Sequence, residues 1–343
     1  MMTRRSTLRL LVAGLLAASL QCQSALAVPN DQAGFEFAVL GHSFKAGPDD
    51  APLKKSIAET SAFNAAFVVA TGIKAASESC SDKLYSQRKD LLDASGPPLI
   101  VSLSASDWAN CRNSRGRVNA IERLNRLRDV YFADDQSLGQ RKLTLSRLSS
   151  TAKFRSYAEN SHWEYGGVLF ATVNLPANNN HFLPEAGRNS EFEDRLVANR
   201  SWLQRLFAMA QRKKLDGIVL FSDGDVGVLD EEDHSLLPNF SSSSKQDGFA
   251  GPRKQIRTLA KKFTGKVLLV DTGRTGEEGK GKKAAAGSEG PKIRWKGNLG
   301  HVSIDSDWAA IAVRPGKTPL FEVRQRAVRP SAQARAKTST VRR

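Results

Sequence analysis

Residues 99–111, LIVSLSASDWANC, constrain the fold of this chain more than any other stretch: an apolar strand breaks into a Ser-rich turn, followed by Asp107-Trp108 and Cys111. Pro97-Pro98 stops the helical pattern of residues 82–93, so residues 99–103 start afresh as a strand. The same grammar occurs twice upstream. Residues 35–40 alternate and then turn apolar before Gly41-His42-Ser43-Phe44, a helical pattern covers residues 54–64, and a second apolar run at 65–70 ends in Thr71-Gly72. Strands that alternate with helices and end in turns of small or polar residues predict an α/β sheet, and those turns are where such a sheet places its ligands.

The second half repeats the pattern. Residues 117–132 carry apolar side chains at helical spacing, 166–174 form a strand before the polar turn Asn178-Asn179-Asn180-His181, and 199–213 read as an amphipathic helix. The run 217–221 ends in Ser222-Asp223-Gly224-Asp225, and the strand 266–270, preceded by residues 256–263, ends in Asp271-Thr272-Gly273-Arg274. Residues 275–291 are rich in Gly, Lys and Ala without hydrophobic pattern and are expected to form a flexible insert. Residues 299–304 and 308–313, separated by Asp305-Ser306-Asp307, read as a closing hairpin.

Arg4, Arg5 and Arg9 precede an apolar run over 10–20, and Ala25-Leu26-Ala27 offers small residues to a signal peptidase, so residues 1–27 read as a signal peptide and the mature chain as starting at Val28. The apolar run is too short to span a bilayer, and no transmembrane segment is expected after its removal. An exported chain, periplasmic or secreted, then retains two cysteines, Cys80 and Cys111. Such an isolated pair points to a disulfide rather than a metal site, with two buried free thiols as the alternative. The remaining length, about twice that of a usual domain, suits one large α/β domain over residues 28–320 or two fused halves. The formal charge of +16 is weighted toward the C-terminus, where residues 324–343 hold seven Lys or Arg and no acid. With little to bury, residues 321–343 read as a disordered basic tail, either a solvated extension or an anion-binding arm.

The order of these motifs over residues 35–313 resembles the calcineurin-like metallophosphoesterases of the secreted bacterial type. In that family a strand runs into Gly-Asp-Asn-Glu-Trp with a cysteine three residues after the Trp; here the place reads Ser104-Ala105-Ser106-Asp107-Trp108-Ala109-Asn110-Cys111. Lys74 after the second motif, Cys80-Ser81-Asp82, Arg126-Leu127-Arg128, Val173-Asn174, Asn199 and Trp202 also stand at family-like positions. The resemblance implies a four-layer α/β/β/α sandwich of two mixed sheets and a pair of metal ions at the strand ends. Residue by residue, however, the ligands depart from the family. His42 stands where the first motif has Asp and keeps a donor atom; Ile73 replaces the bridging Asp and has none. Ala105 and Ser106 replace Asp and Asn, and the late Gly-Asp-x-His reads Thr272-Gly273-Arg274-Thr275. Two-metal hydrolysis needs ions about 4 Å apart that bring bound water to a pKa near 7, and hard divalent ions need the carboxylates that are missing here.

Three alternatives follow from the residues themselves. Asp223, Asp225 and the acidic residues 230–233 are the densest carboxylate cluster, but counting from Asp223 an EF-hand-like loop would need Glu where His234 stands, so a solvated acidic loop is the simpler reading. Ser43, Ser104, Ser106 or Ser222 with His42, His162, His181, His234 or His301 would suit a Ser-His-acid hydrolase, yet no Gly-x-Ser-x-Gly follows a strand, and His42 beside Asp107 is the one pairing of interest. A cleft with Lys74, Arg274 and backbone N–H groups would suit an anionic or phosphorylated ligand; nucleic acid is not expected, because no aromatic-rich motif accompanies the basic residues. The expectation is a non-catalytic, exported metallophosphoesterase-like binding protein without a cofactor. The alternative is an active phosphoesterase with a rearranged site and two divalent metal ions.

Overall fold

The computed structural model describes residues 33–41, 43–44, 47–183, 189–230, 247–273, 290–304 and 307–324. Its strands are β1 (Phe35–Leu40), β2 (Val68–Thr71), β3 (Leu99–Ser102), β4 (Ser146–Arg147), β5 (Ser161–Tyr165), β6 (Val168–Thr172), β7 (Gly217–Phe221), β8 (Lys266–Asp271), β9 (Arg294–Lys296), β10 (Leu299–Ser303), β11 (Trp308–Val313) and β12 (Phe321–Arg324). The α-helices are α1 (Ala51–Phe63), α2 (Asp82–Asp93), α3 (Ala105–Trp108), α4 (Ala120–Tyr131), α5 (Ser190–Arg212) and α6 (Ala250–Lys262).

One sheet has the order β12-β11-β1-β2-β3 and the other β4-β5-β6-β7-β8-β10-β9. Both are mixed. β1, β2 and β3 run parallel, as do β6, β7, β8 and β10, while antiparallel strands close the edges. The central strands are buried along their whole length because each face has a partner layer. Alternate residues divide between two cores, as the pleat requires. Phe37 and Val39 of β1 join Phe67, Phe170, Val219, Phe221, Leu268 and Val302 between the sheets, whereas Ala38 and Leu40 face the helix side. Phe37 stacks on Phe67 at 5.2 Å and meets Phe170 edge-on, so aromatic rings weld the two sheets together. Leu53, Ile57, Tyr85, Leu92, Leu124 and Leu127 cover the outer face of the first sheet, and Trp202, Leu203, Leu206, Ile256 and Ala260 that of the second. The result is the expected four-layer α/β/β/α sandwich, and no described helix is long and apolar enough to cross a membrane.

Local chemistry sets the helix ends. Ser81 accepts the N–H of Leu84 at the start of α2, and Ser104 with Asp107 forms a capping box on α3. Asn64 takes the left-handed conformation that ends α1, a position where Asn replaces Gly at low cost.

Two expectations are corrected. Residues 299–304 and 308–313 do not form a hairpin: β10 extends the second sheet parallel to β8, while β11 pairs antiparallel with β1 in the first. Residues 308–313 are apolar on both faces and 299–304 carry Leu299, His301 and Ser303 on one face, and neither pattern names a strand partner. The folded chain also continues beyond residue 320, because Phe321 fills the inter-sheet core and β12 pairs with β11. Residues 1–27, expected to be a signal peptide, most of the expected 275–291 insert and residues 325–343 of the expected tail lie outside the described residues. Helix α5 begins at Ser190 rather than near residue 199, with Glu191 and Glu193 in its first turn, where the helix dipole favours them.

Candidate functional site at the strand ends

The ends of β2, β3 and β7 meet in a buried polar joint. Asp107, with no solvent exposure, accepts the N–H of Ile73 at 2.9 Å on one oxygen and that of Ser104 at 2.7 Å on the other. Burial raises its pKa to about 6, against the opposing pull of those two N–H groups and of Lys74. Asp223, equally buried, accepts from Ala105 N at 2.7 Å and Ala177 N at 2.8 Å through a single oxygen, while Thr272 donates to its backbone carbonyl. Lys74 is buried beside them and donates to the carbonyls of Ala75 and Ser106, both at 2.8 Å; burial lowers its pKa, opposed by Asp107 and Glu78. Arg88 braces the loop after β2 through the carbonyl of Ile73 and ion pairs with Glu78 and Asp50. Two internal carboxylates thus occupy the backbone N–H groups that an external anion would need.

A second cluster lies at the ends of β7, β8 and β10. His301 Nε2 is 2.6 Å from Asp271 and 3.6 Å from Asp225. Asp271 Oδ1 is held by Ser303 Oγ and the N–H of Gly273, both at 2.8 Å, and Asp225 Oδ1 accepts from Gly227 N. Arg294 Nη2 sits 2.9 Å from His301 Nδ1. Guanidinium only donates, so Nδ1 is the acceptor and Nε2 carries the hydrogen given to Asp271. Burial opposes a second proton on His301, but the hydrogen bond and charge of Asp271, with Asp225, outweigh it and raise the pKa above the ordinary histidine value.

The expected site residues separate accordingly. His42 and Arg274 lie outside the described residues, as does His234. Ile73 is fully buried and, with its N–H on Asp107, has only an aliphatic side chain at the expected bridging position. Ser106 Oγ lies 2.8 Å from Ser104 Oγ and donates to the carbonyl of Lys74, so neither serine is aimed as a nucleophile. His162 packs on Trp202 with its pKa lowered to about 4 by burial, and His181 pairs with Glu191. Lys74, expected to hold an anion, points its ammonium at two carbonyls instead, with Asp107 and Glu78 near enough to favour its charged form. Asp223 and Asp225 fall into different clusters and do not form one site. The described residues at these strand ends do not fit a pair of metal ions: Asp107 and Asp223 are committed to backbone amides, and an isoleucine stands at the position expected to bridge.

Sequence reasoning missed Asp271 and His301 as partners. Their proximity follows from β10 lying parallel beside β8, the pairing that the hairpin reading displaced. Cys80 and Cys111 form the disulfide, with Cα atoms 5.8 Å apart, joining the loops after β2 and β3. A surface groove of about 690 Å³ runs beside α4, lined among others by Val118, Ile121, Arg126, His181 and Leu183, and opens onto neither cluster. The chain matches no protein-family model and no curated protein.

Proposed function

We propose that this protein is a non-catalytic, exported binding protein built on a metallophosphoesterase-like sandwich whose dinuclear centre has become a structural joint. The observation that carries this reading is the commitment of Asp107 and Asp223 to four backbone N–H groups at the strand ends, beside the buried Ile73. Water activation by paired ions requires free carboxylate oxygens between them, and that arrangement has no place in this network. Export to the periplasm or beyond is supported by the signal-like N-terminus and by the disulfide, which persists in oxidising compartments. The ligand we propose is anionic or phosphorylated, on the strength of the net charge, which is +13 after Arg4, Arg5 and Arg9 are subtracted from the +16 of the whole sequence. Since the joint fills the strand-end amides, contact would be made by surface Lys and Arg.

The test is metal analysis of the mature protein from Val28 together with turnover of a chromogenic phosphodiester in Mn²⁺. Absence of turnover, with no pair of tightly held ions, supports the reading; turnover that tracks two bound ions overturns it. The competing reading, an active phosphoesterase with a rearranged site, draws on the Asp225, Asp271 and His301 cluster alone. It requires turnover that disappears in His301→Gln.

A further inference from the structure

We propose that Asp225, Asp271 and His301 bind one divalent transition-metal ion on the outer flank of the second sheet, and that Arg294 must leave the imidazole to admit it. This site is separate from the inter-sheet joint. Along β8 and β10, Leu269 and Leu299 face the helix-side core whereas Val270 and Val302 face the other sheet. Asp271 and His301 share the parity of the former, so they stand on the helix side of the sheet. The inference is independent of the non-catalytic reading.

One oxygen from each carboxylate and a nitrogen of His301 lie within 4.8 Å of one another. Ligands about 2.0–2.2 Å from a common ion sit roughly 3–3.6 Å apart, so the 3.6 Å separation of His301 and Asp225 already suits coordination. The 2.6 Å contact with Asp271 is held short by the hydrogen on Nε2, which stands where the ion would be. The ligands are anchored from behind: Ser303 and Gly273 fix the remaining oxygen of Asp271, as outer-shell donors do at metal sites. His301 and Asp271 are buried, while the side chain of Asp225 is 26% exposed and provides the way in. Two carboxylates and one imidazole favour zinc, cobalt or manganese over magnesium or calcium, which prefer oxygen throughout.

Coordination at Nε2 requires its hydrogen to be replaced by the ion and a hydrogen to reside on Nδ1, with solvent carrying the proton between them. A hydrogen on Nδ1 would confront the guanidinium, so Arg294 has to withdraw. It belongs to the edge strand β9, where its side chain is exposed and has room to do so. A glutamine at that position would supply the acceptor that a metal-bound histidine normally finds.

The experiment is a Co²⁺ titration of the untagged, metal-stripped chain near neutral pH, followed by calorimetry and visible absorption. We expect one equivalent with cobalt–ligand absorption, weakened about ten-fold or more by His301→Gln and by Asp225→Asn, and tightened several-fold by Arg294→Gln. Asp225→Asn, at a partly exposed position, serves as the variant that keeps its fold, checked by circular dichroism. Failure of the wild type to bind Co²⁺ at millimolar concentration, or binding indifferent to both His301→Gln and Asp225→Asn, overturns the site. Weaker binding in Arg294→Gln overturns the role given to Arg294. Phosphodiester turnover would instead remove the non-catalytic reading and leave this site standing.

Discussion

Asp223, just beyond β7, accepts the backbone N–H of Ala105, just beyond β3, at 2.7 Å across the gap between the two sheets. The same oxygen takes the N–H of Ala177 from the segment after β6, so one carboxylate ties three strand ends together. A buried anion with backbone donors on it holds loops in register in the way a metal ion would, with the opposite sign of charge.

Replacing Asp223 by Ala leaves two buried N–H groups without acceptors. Each unsatisfied donor costs about 1–3 kcal/mol, so urea unfolding is expected to show a loss of roughly 2–6 kcal/mol. Asp223→Asn, which keeps an acceptor oxygen, is expected to lose less. Equal losses in the two variants would mean that the carboxylate oxygen is not what holds the loops.

Asp107 carries a pH dependence with a definite sign. Its pKa is higher in the folded chain, at about 6, than the ordinary 3.8, so the fold favours the protonated form. The stability it contributes is present below the ordinary value and is lost as pH rises through about 6, by about 3 kcal/mol at most. Unfolding midpoints measured from pH 4 to 7 in the wild type, less those of Asp107→Asn, should fall over that window. A flat difference would exclude Asp107 as the titrating group.

Reduction of the Cys80–Cys111 bond frees a loop closed across 31 residues of sequence. Chain entropy assigns such a closure roughly 3–4 kcal/mol, and the thermal midpoint is expected to drop accordingly in Cys80→Ser or in reductant. Peptide mapping without reduction should recover the linked pair, and two free thiols there would contradict it.

Ile73→Asp restores, by residue type, the carboxylate that a dinuclear centre would use. The side chain is fully buried in the apolar helix-side core while its N–H is held by Asp107, so the substitution introduces an uncompensated charge. We expect a loss of at least about 3 kcal/mol and no gain of Mn²⁺ binding. A stable variant that binds two ions would show that the joint reverts readily to a metal centre.

Much of the architecture is legible along the chain. The runs that became β1, β2, β3, β6, β7 and β8 are short, apolar and bounded by Gly, Pro or polar turns, and α2 coincides with the helical pattern at 82–93. β5 escaped notice although Trp163 and Tyr165 alternate with His162 and Glu164, because the short turn at Gly166-Gly167 merges it with β6. Strand partners were less legible. β10 and β11 follow each other closely, as hairpin strands do, yet each completes a different sheet.

By itself the sequence determined the alternation of strands and helices, the pair of cysteines available for a bridge and the absence of a donor atom at residue 73. These are properties of a residue and its near neighbours, which periodicity and covalent chemistry express directly. Only the tertiary structure decided where the polar groups turn. The bond from Asp223 to Ala105 spans 118 residues and that from Asp107 to Ile73 spans 34. Whether a buried carboxylate meets an amide, an ammonium or a histidine depends on which strand ends the sheet order brings together, and His301 meets Asp271 only because β10 lies beside β8.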